Sequence, residues 1–388
     1  MASASVLKAN RVLPDDAHLA KLVGRVWSQA QGGPCIVTIR DGKLYDLTAQ
    51  AVTMSHLLEN KNVLTLLAAE DLPCLGPLDA FLDGSEGRLL APVDLQAIKA
   101  AGVTFAESML ERVIEEQARG DAGRAAEIRA HLAPVIGENL RDLQAGSEQA
   151  MQVKGLLQEM DLWSQYLEVG IGPDAEIFTK SQPMSAMGCG ETVGIHPMSH
   201  WNNPEPEVVL VTRSDGEILG AALGNDVNLR DVEGRSALLL GKAKDNNASC
   251  AIGPFIRLFD AHFSLQDVES TTVSLTVTGE DGFIMSGESP MRAISRRPVD
   301  LVSQMRNRSH QYPDGAVLFL GTMFAPTKDR HGEGQGFTHV VGDRVEIAAP
   351  QLGCLTNWVD RADHCPEWSF GITALMRNLA ARGLGERF

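Results

Sequence analysis

From Gly172 to about Cys365 the sequence is a succession of short β-prone runs separated by turn residues, and this pattern restricts the fold most strongly. Residues 207–212 and 218–223 flank a Ser-Asp-Gly turn signal, which predicts a β-hairpin. In residues 272–278 apolar and polar side chains alternate, as expected of a strand with one buried face. Many short strands with glycine-rich turns favour a rolled or barrel-like β structure.

Two earlier segments differ from this region. Residues 1–96 contain a hairpin signal at Asp41-Gly42, followed by loop signals, and are predicted to form a small N-terminal α+β domain. Residues 104–166 are rich in Ala, Glu, Arg, Leu and Gln, and their apolar residues recur at helical spacing. The predicted fold is therefore α+β: a mixed β-roll within a domain of residues 97–388, a small N-terminal domain, and a helical insertion at about 104–166.

The charge balance and the hydropathy pattern argue against several classes of partner. The formal net charge is −16, from 34 Lys and Arg against 50 Asp and Glu, and no basic stripe offsets it, so nucleic acid is not a predicted partner. No apolar run approaches the ~20 residues that span a bilayer. The chain starts without the basic flank and apolar core of a signal peptide, and its six cysteines have no metal-site spacing. We therefore expect a cytoplasmic protein with reduced thiols.

Two acidic segments carry the first chemical signal. Glu205 and Glu207 open a predicted strand, where alternation directs both carboxylates to the same side. The predicted hairpin returns Asp226 towards this pair. Three carboxylates on one face suit a hard divalent cation such as Mg²⁺, with Mn²⁺ or Ca²⁺ as alternatives. Taken singly, the glutamates also fit a solvated strand edge, and Asp226 also fits a turn or helix cap.

Three more segments follow in order along the chain. Residues 241–245 contain Lys242, a candidate cationic group beside the metal, although a surface lysine is the alternative interpretation. A strand ends at Gly321-Thr322, and residues 342–346 read Gly-Asp-Arg-Val-Glu. In this order, the paired glutamates, the Asn-Asp segment with Arg230, the lysine segment, the Gly-Thr step and the late Gly-Asp segment resemble the fumarylacetoacetate hydrolase superfamily. The resemblance covers roughly residues 98–360.

The resemblance implies a catalytic β-roll that assembles as a homodimer or a dimer of dimers, binds Mg²⁺ and acts on a small 2-oxo acid. It implies that Glu205, Glu207 and Asp226 are the metal ligands and that Lys242 is the active-site lysine. Arg230 and Thr322 fall on positions that hold the substrate carboxylate. In this family the ion binds the carboxylate and keto oxygens of the substrate and stabilises an enolate.

The segment of residues 102–111 resembles the family's lid helix, on which a histidine and a glutamate activate water. Here Glu111 matches the glutamate, but Ser108 occupies the histidine position, and a hydroxyl cannot accept a proton as imidazole can. Dehydratases of 2-keto-3-deoxypentonates form a branch of the superfamily that shares this feature. The resemblance therefore favours a dehydratase with Glu111, Ser108 and Lys242 as catalytic residues and Glu111 as the C3 base, a role that Glu115 or Glu116 could take instead.

Three other functions remain open at this point. The main alternative is a C–C bond hydrolase of a 2,4-diketo acid such as 5-hydroxy-2,4-dioxopentanoate, with Glu111 activating water alone. Retro-aldol cleavage or oxaloacetate decarboxylation would use the same enolate chemistry. A non-catalytic 2-oxo-acid binder is a third alternative, and it would be stabilised by the ligand without consuming it.

Overall fold

A computed structural model describes residues 7–105, 109, 143–159, 163–324, 326, 328–332 and 336–386. Ser108 and Glu111, together with most of the predicted helical insertion, lie outside the described residues.

The described residues contain sixteen strands. In chain order these are β1 Leu22–Ser28, β2 Gly33–Arg40, β3 Lys43–Asp46, β4 Cys74–Pro77, β5 Gly87–Leu90, β6 Ala97–Gly102, β7 Glu176–Ser181, β8 Thr192–Ile195, β9 Pro206–Thr212, β10 Ile218–Asp226, β11 Cys250–Leu258, β12 Thr272–Thr278, β13 Ile284–Pro290, β14 Ala316–Phe319, β15 Arg344–Ala349 and β16 Gly353–Arg361.

The helices of the described residues are short. They are α1 Ala9–Val12, α2 Met54–Glu59, α3 Val63–Ala68, α4 Leu78–Leu82, α5 Glu148–Glu159, α6 Gln165–Ile171, α7 Arg230–Glu233, α8 Leu240–Lys244, α9 Leu265–Ser270, α10 Pro298–Met305 and α11 Ile372–Ala381. None of these described helices is long and apolar enough to cross a lipid bilayer.

The strands of the described residues form two sheets. The larger sheet has eleven strands in the order β4-β3-β2-β1-β11-β10-β9-β14-β6-β7, with β5 paired to β1, and the smaller has the order β13-β12-β15-β16-β8. The α+β class is confirmed, but the described strands remain two open sheets and do not close into a barrel. Most neighbours are antiparallel, while β14 pairs with β6 and β16 with β8 in parallel.

The N-terminal strands are part of the larger sheet. β1 pairs with β11 through Leu22 opposite Arg257 and Val23 opposite Ile256. The predicted N-terminal domain therefore shares a continuous sheet with the segment after residue 97, and the boundary at residue 96 stays a prediction.

Both faces of the central strands are covered, which explains their uninterrupted burial. All residues of β9 are buried. Val208 and Leu210 pack in one apolar cluster with residues of the smaller sheet, among them Leu275. Val209 and Val211 pack in a second cluster with the residues of α2 and α3. The central hairpin is thus a rigid platform, and the acidic residues lie at one end of it.

Candidate metal centre and active site

Three buried carboxylates meet at the end of the central hairpin. Oxygens of Glu205, Glu207 and Asp226 all lie within 4.8 Å of one another. The three residues are 9%, 3% and 1% exposed, respectively. The sequence-based expectation that these three side chains converge agrees with this geometry, and an oxygen-only donor set of this kind fits Mg²⁺.

The register of the hairpin brings the carboxylates together. Asn225 lies opposite Pro206 in the β9–β10 pair, and the Asp226 backbone N–H donates to the Glu205 carbonyl at 3.1 Å. Asp226 is therefore held opposite Glu205 although twenty residues of chain lie between them. Backbone hydrogen bonds, not the acidic side chains, fix this arrangement, so the mutual repulsion of the carboxylates does not separate them.

The third strand of the site holds Glu207 from the other side. The Gly321 backbone N–H, just after β14, donates to Glu207 Oε2 at 2.6 Å. Gly321 has a φ of +85°, and a Cβ at this position would lie 2.1 Å from Thr104 Oγ1. The glycine of the Gly-Thr step is therefore required by both conformation and space, and it places Thr322 at the cavity.

The predicted active-site lysine, Lys242, and its neighbour Lys244 have different surroundings in the structure. Lys242 is exposed and does not line the cavity, whereas Lys244 is 3% exposed and lies among the carboxylates. Lys244 Nζ forms a short ion pair with Glu205 Oε2 and lies 3.2 Å from Asp226 Oδ2. Both lysines belong to α8, where a separation of two residues turns a side chain by about 200° around the axis. A helix that directs Lys244 inward therefore directs Lys242 to solvent.

Two further polar residues of the site were missed at the level of sequence. Asn228 Nδ2 donates to Glu205 Oε1 at 3.1 Å and to Glu233 Oε2 at 2.6 Å, so it ties a metal-site glutamate to α7. Lys180 Nζ lies 2.9 Å from Asp226 Oδ1. Asn228 follows Asp226 by two residues and could have been found from strand alternation, whereas Lys180 has no local signal.

Burial and mutual proximity perturb these groups. Burial, reinforced by the carboxylates of Asp226 and Glu205, raises the pKa of Glu207 well above its usual value. Burial also raises the pKa of Glu205, against the effect of the Lys244 ammonium. For Lys244 burial disfavours the ammonium, but the carboxylates of Asp226 and Glu205 outweigh burial and raise its pKa. One lysine ammonium therefore does not fully compensate the two buried carboxyl groups of Glu205 and Glu207. A bound cation would stabilise their ionised forms.

These groups open onto a cavity of about 350 Å³. Arg230 and Thr322, the predicted substrate-binding residues, both line it. The Arg230 guanidinium carbon stacks 4.3 Å from the centre of the Trp201 ring, and Thr322 Oγ1 accepts a hydrogen bond from the Phe324 N–H at 3.1 Å. Other lining residues are Tyr166, Glu176, Phe178, Glu233, Glu288, Met323, Phe324 and Pro326. The cavity thus combines two cationic side chains, Arg230 and Lys244, with a hydroxyl, apolar residues and three acidic residues besides the carboxylate cluster. A small organic anion would therefore need Arg230, Lys244 and a bound cation to offset the acidic lining.

A buried ion-pair network anchors the loop that forms one wall of this cavity. Asp343 Oδ1 and Oδ2 accept from Arg330 at 2.7 Å each, and Asp343 Oδ2 also lies 3.0 Å from His339 Nδ1. Arg330 continues to Asp281, and its guanidinium stacks 4.6 Å from the Phe283 ring centre. Asp343, in the Gly-Asp segment of residues 342–346, therefore holds Arg330, which belongs to the described part of the loop that follows Thr322.

This network predicts acid sensitivity. Burial alone would raise the pKa of Asp343, but hydrogen bonds from His339 and Arg330 lower it to about 2, while burial lowers the pKa of His339. Both shifts act in the same direction: the unfolded chain binds protons more readily, from pH 6.5 downwards for His339 and from 3.8 downwards for Asp343. The free energy of unfolding should therefore fall on acidification, by at most about 1.4 kcal/mol per pH unit for each group.

Urea unfolding at a series of pH values checks this expectation. The stability advantage of the wild type over His339→Gln should shrink as the pH drops below 6.5, because only the wild type retains the histidine with the lowered pKa. If the free energies of unfolding of the two proteins changed in parallel with pH, His339 would not contribute to acid sensitivity.

Known proteins similar to this chain include a family whose sequence model spans the carboxylate cluster and most of the residues that line the cavity. The family model described as fumarylacetoacetate (FAA) hydrolase C-terminal matches residues 156–360, more than half of the chain. The chain belongs to the fumarylacetoacetate hydrolase family. All three carboxylates, both buried lysines, Arg230 and Thr322 lie inside the matched range.

Two curated relatives in this family are similar to the chain. A probable 2-keto-3-deoxyxylonate dehydratase of Haloferax volcanii is 27% identical over 328 residues, which cover 82% of this chain and 93% of the relative. A 2-dehydro-3-deoxy-D-arabinonate dehydratase of Saccharolobus solfataricus is 31% identical over 180 residues, 46% of this chain and 57% of the relative.

A solved structure shares the fold. The 2-keto-3-deoxy-D-arabinonate dehydratase complexed with magnesium and 2,5-dioxopentanoate superimposes with a TM-score of 0.61 at 20% identity, covering 88% of this chain and 99% of that one. This similarity confirms the fold of a fumarylacetoacetate hydrolase-like protein.

Proposed function

We propose that this chain is a magnesium-dependent dehydratase of a 2-keto-3-deoxy sugar acid, converting a 2-keto-3-deoxypentonate to 2-oxoglutarate semialdehyde. The observation that carries the proposal is the buried cluster of three carboxylates with Lys244 beside a cavity that also presents Arg230. The curated relatives, both named dehydratases of such acids, support the reaction type over C–C bond hydrolysis.

Glu205, Glu207 and Asp226 would hold the magnesium ion. When bound, the ion supplies Lewis-acid stabilisation of the negative charge that develops on the keto oxygen of a 2-oxo acid. The backbone N–H of Gly321 keeps the Glu207 carboxylate in place, and Asn228 does the same for Glu205.

Arg230 and Thr322 would bind the substrate carboxylate. The guanidinium of Arg230 is held against the Trp201 ring, so its orientation is set before the substrate arrives. A pre-oriented guanidinium can donate two parallel hydrogen bonds to a carboxylate. Thr322, which also lines the cavity, adds a hydroxyl donor.

The reaction removes a proton from C3 and the hydroxyl from C4 as water. The C3–C4 double bond then migrates towards C5, and tautomerisation makes C5 an aldehyde. The Lys244 ammonium lies beside Glu205 and Asp226, which keep it protonated, and we assign it a charge-assisted hydrogen bond to the departing C4 hydroxyl, which leaves as water with the proton taken from C3. Glu111 stays the proposed C3 base and Ser108 a proposed catalytic residue, and both lie outside the described residues.

Product analysis by NMR in deuterated buffer tests the proposal. With Mg²⁺, the protein should convert racemic 2-keto-3-deoxypentonate to 2-oxoglutarate semialdehyde, and treatment with EDTA should abolish turnover until Mg²⁺ is restored. A parallel sample receives 5-hydroxy-2,4-dioxopentanoate. Formation of pyruvate and glycolate there, with the pentonate unchanged, would replace the dehydratase by a C–C hydrolase.

A further inference from the structure

Lys180 is a completely buried cation next to the carboxylate cluster. It lies on β7, is 0% exposed and does not line the cavity. Its ammonium donates to the Val227 carbonyl at 3.2 Å and to the Lys244 carbonyl in a short contact, and it forms an ion pair with Asp226 Oδ1 at 2.9 Å. Two backbone acceptors and one carboxylate thus compensate a cation that is completely removed from solvent.

The three contacts of the ammonium involve two different elements. Asp226 and Val227 lie at the end of β10, whereas Lys244 is the last residue of α8. Ser249 Oγ also donates to the Lys244 carbonyl at 2.8 Å, so the end of α8 is held from two sides. Lys180 therefore connects the strand that carries one metal-site carboxylate with the helix that carries the active-site lysine.

The contacts of Asp226 show how Lys180 affects the orientation of this carboxylate. Lys180 binds Oδ1 from behind, while Oδ2 lies 3.2 Å from Lys244 Nζ on the cavity side. The last torsion of an aspartate side chain is broad and has no sharp intrinsic preference. An ammonium fixed on one oxygen selects one orientation of the carboxylate, and its positive charge reduces the repulsion among the three acids.

We propose that Lys180 is a positioning residue of the metal site, which orients Asp226 and fixes the end of α8 so that Lys244 faces the cavity. The proposal rests on the proposed function, since it assumes that Asp226 is a metal ligand. Residues that orient metal ligands typically change metal affinity by about 10–100-fold when they are removed. We expect a loss of this size in Lys180→Met, whose side chain retains most of the volume but donates no hydrogen bond.

Lys99 supplies the matched control. It lies on β6, the neighbour of β7, and its Nζ binds Thr179 Oγ1 at 2.9 Å, a hydroxyl one residue away from Lys180. Lys99→Met removes the same charge from the same pair of strands without touching the carboxylate cluster. It should bind metal as the wild type does.

The experiment measures Mn²⁺ affinity by electron paramagnetic resonance of free Mn²⁺ for the wild type, Lys180→Met and Lys99→Met, each first shown to be folded by near-UV circular dichroism. We expect an affinity about 10–100-fold weaker for Lys180→Met and unchanged for Lys99→Met. Lys180→Gln, whose amide can still donate to the Val227 carbonyl, provides the comparison if Lys180→Met does not fold.

The outcomes separate this inference from the proposed function. A folded Lys180 variant that binds Mn²⁺ like the wild type would overturn the positioning role, even if its unfolding temperature were lower. Failure of the wild type itself to bind Mn²⁺ would overturn the metal site and the positioning role together. With substrate at saturating Mn²⁺, the positioning role further predicts a lower kcat with little change in KM, because Lys244 would lose its fixed orientation.

Discussion

Replacing Lys244 by methionine is expected to lower kcat by about 10²–10³-fold, the range for removing one positioned hydrogen-bond donor from an active site. Lys244 is buried between Glu205 and Asp226 and lines the cavity. Methionine has a similar length but carries no proton, so the leaving hydroxyl would have to depart without assistance. Steady-state dehydration of a 2-keto-3-deoxypentonate at saturating Mg²⁺ measures the effect.

Lys242→Met is the matched control for this prediction, because Lys242 lies on the same short helix but is exposed. Its kcat and KM should equal those of the wild type. If Lys242→Met lost as much activity as Lys244→Met, or more, the assignment made from the structure would be wrong and the one made from the sequence would be right. Circular dichroism and Mn²⁺ affinity must be measured for both variants. These controls show whether a lower kcat results from unfolding or from weaker metal binding.

The position of the lysine illustrates the limit of the sequence argument. Residues 241–245 contain two lysines, and the spacing of the motif does not determine the rotational phase of a five-residue helix. The phase is determined by packing of α8 against β7, which is distant in sequence, and against α7 through Ala243 and Val232. Lys180 could not be predicted for the same reason, and also because fully buried lysines are rare.

The carboxylates were predictable because their placement depends on local structure. Glu207 lies on β9 and Glu205 directly precedes this strand, so alternation predicts their common side, and the hairpin returns Asp226 to them. By contrast, the parallel pairs β14–β6 and β16–β8 join strands that are far apart in the chain, and no local pattern specifies them. Burial of β9 on both faces likewise depends on which elements cover the sheet.

Asp343→Asn is expected to lower the free energy of unfolding by about 3–5 kcal/mol, the range for breaking a buried ion pair from one side. The Asp343 and Arg330 side chains are both 1% exposed. The carboxylate accepts from both Arg330 nitrogens, from the Val340 N–H at 3.0 Å and from His339. An asparagine keeps the shape but replaces one accepting oxygen with an NH₂ group, which leaves buried donors facing one another.

The exposed pair of Asp363 and Arg361 is the control, because it has the same bidentate chemistry at 3.0 and 2.6 Å but lies in solvent. Asp363→Asn should leave the urea midpoint unchanged, since exposed ion pairs contribute little. Equal effects of the two substitutions on the urea midpoint would show that the buried network is not a principal anchor of the fold.

Asp343→Asn should also change the kinetics. Because Arg330 holds the loop that carries Thr322 and Phe324 to the cavity, the substitution should raise KM more than it lowers kcat. A variant with lower stability but an unchanged KM would mean that the loop keeps its place without Asp343.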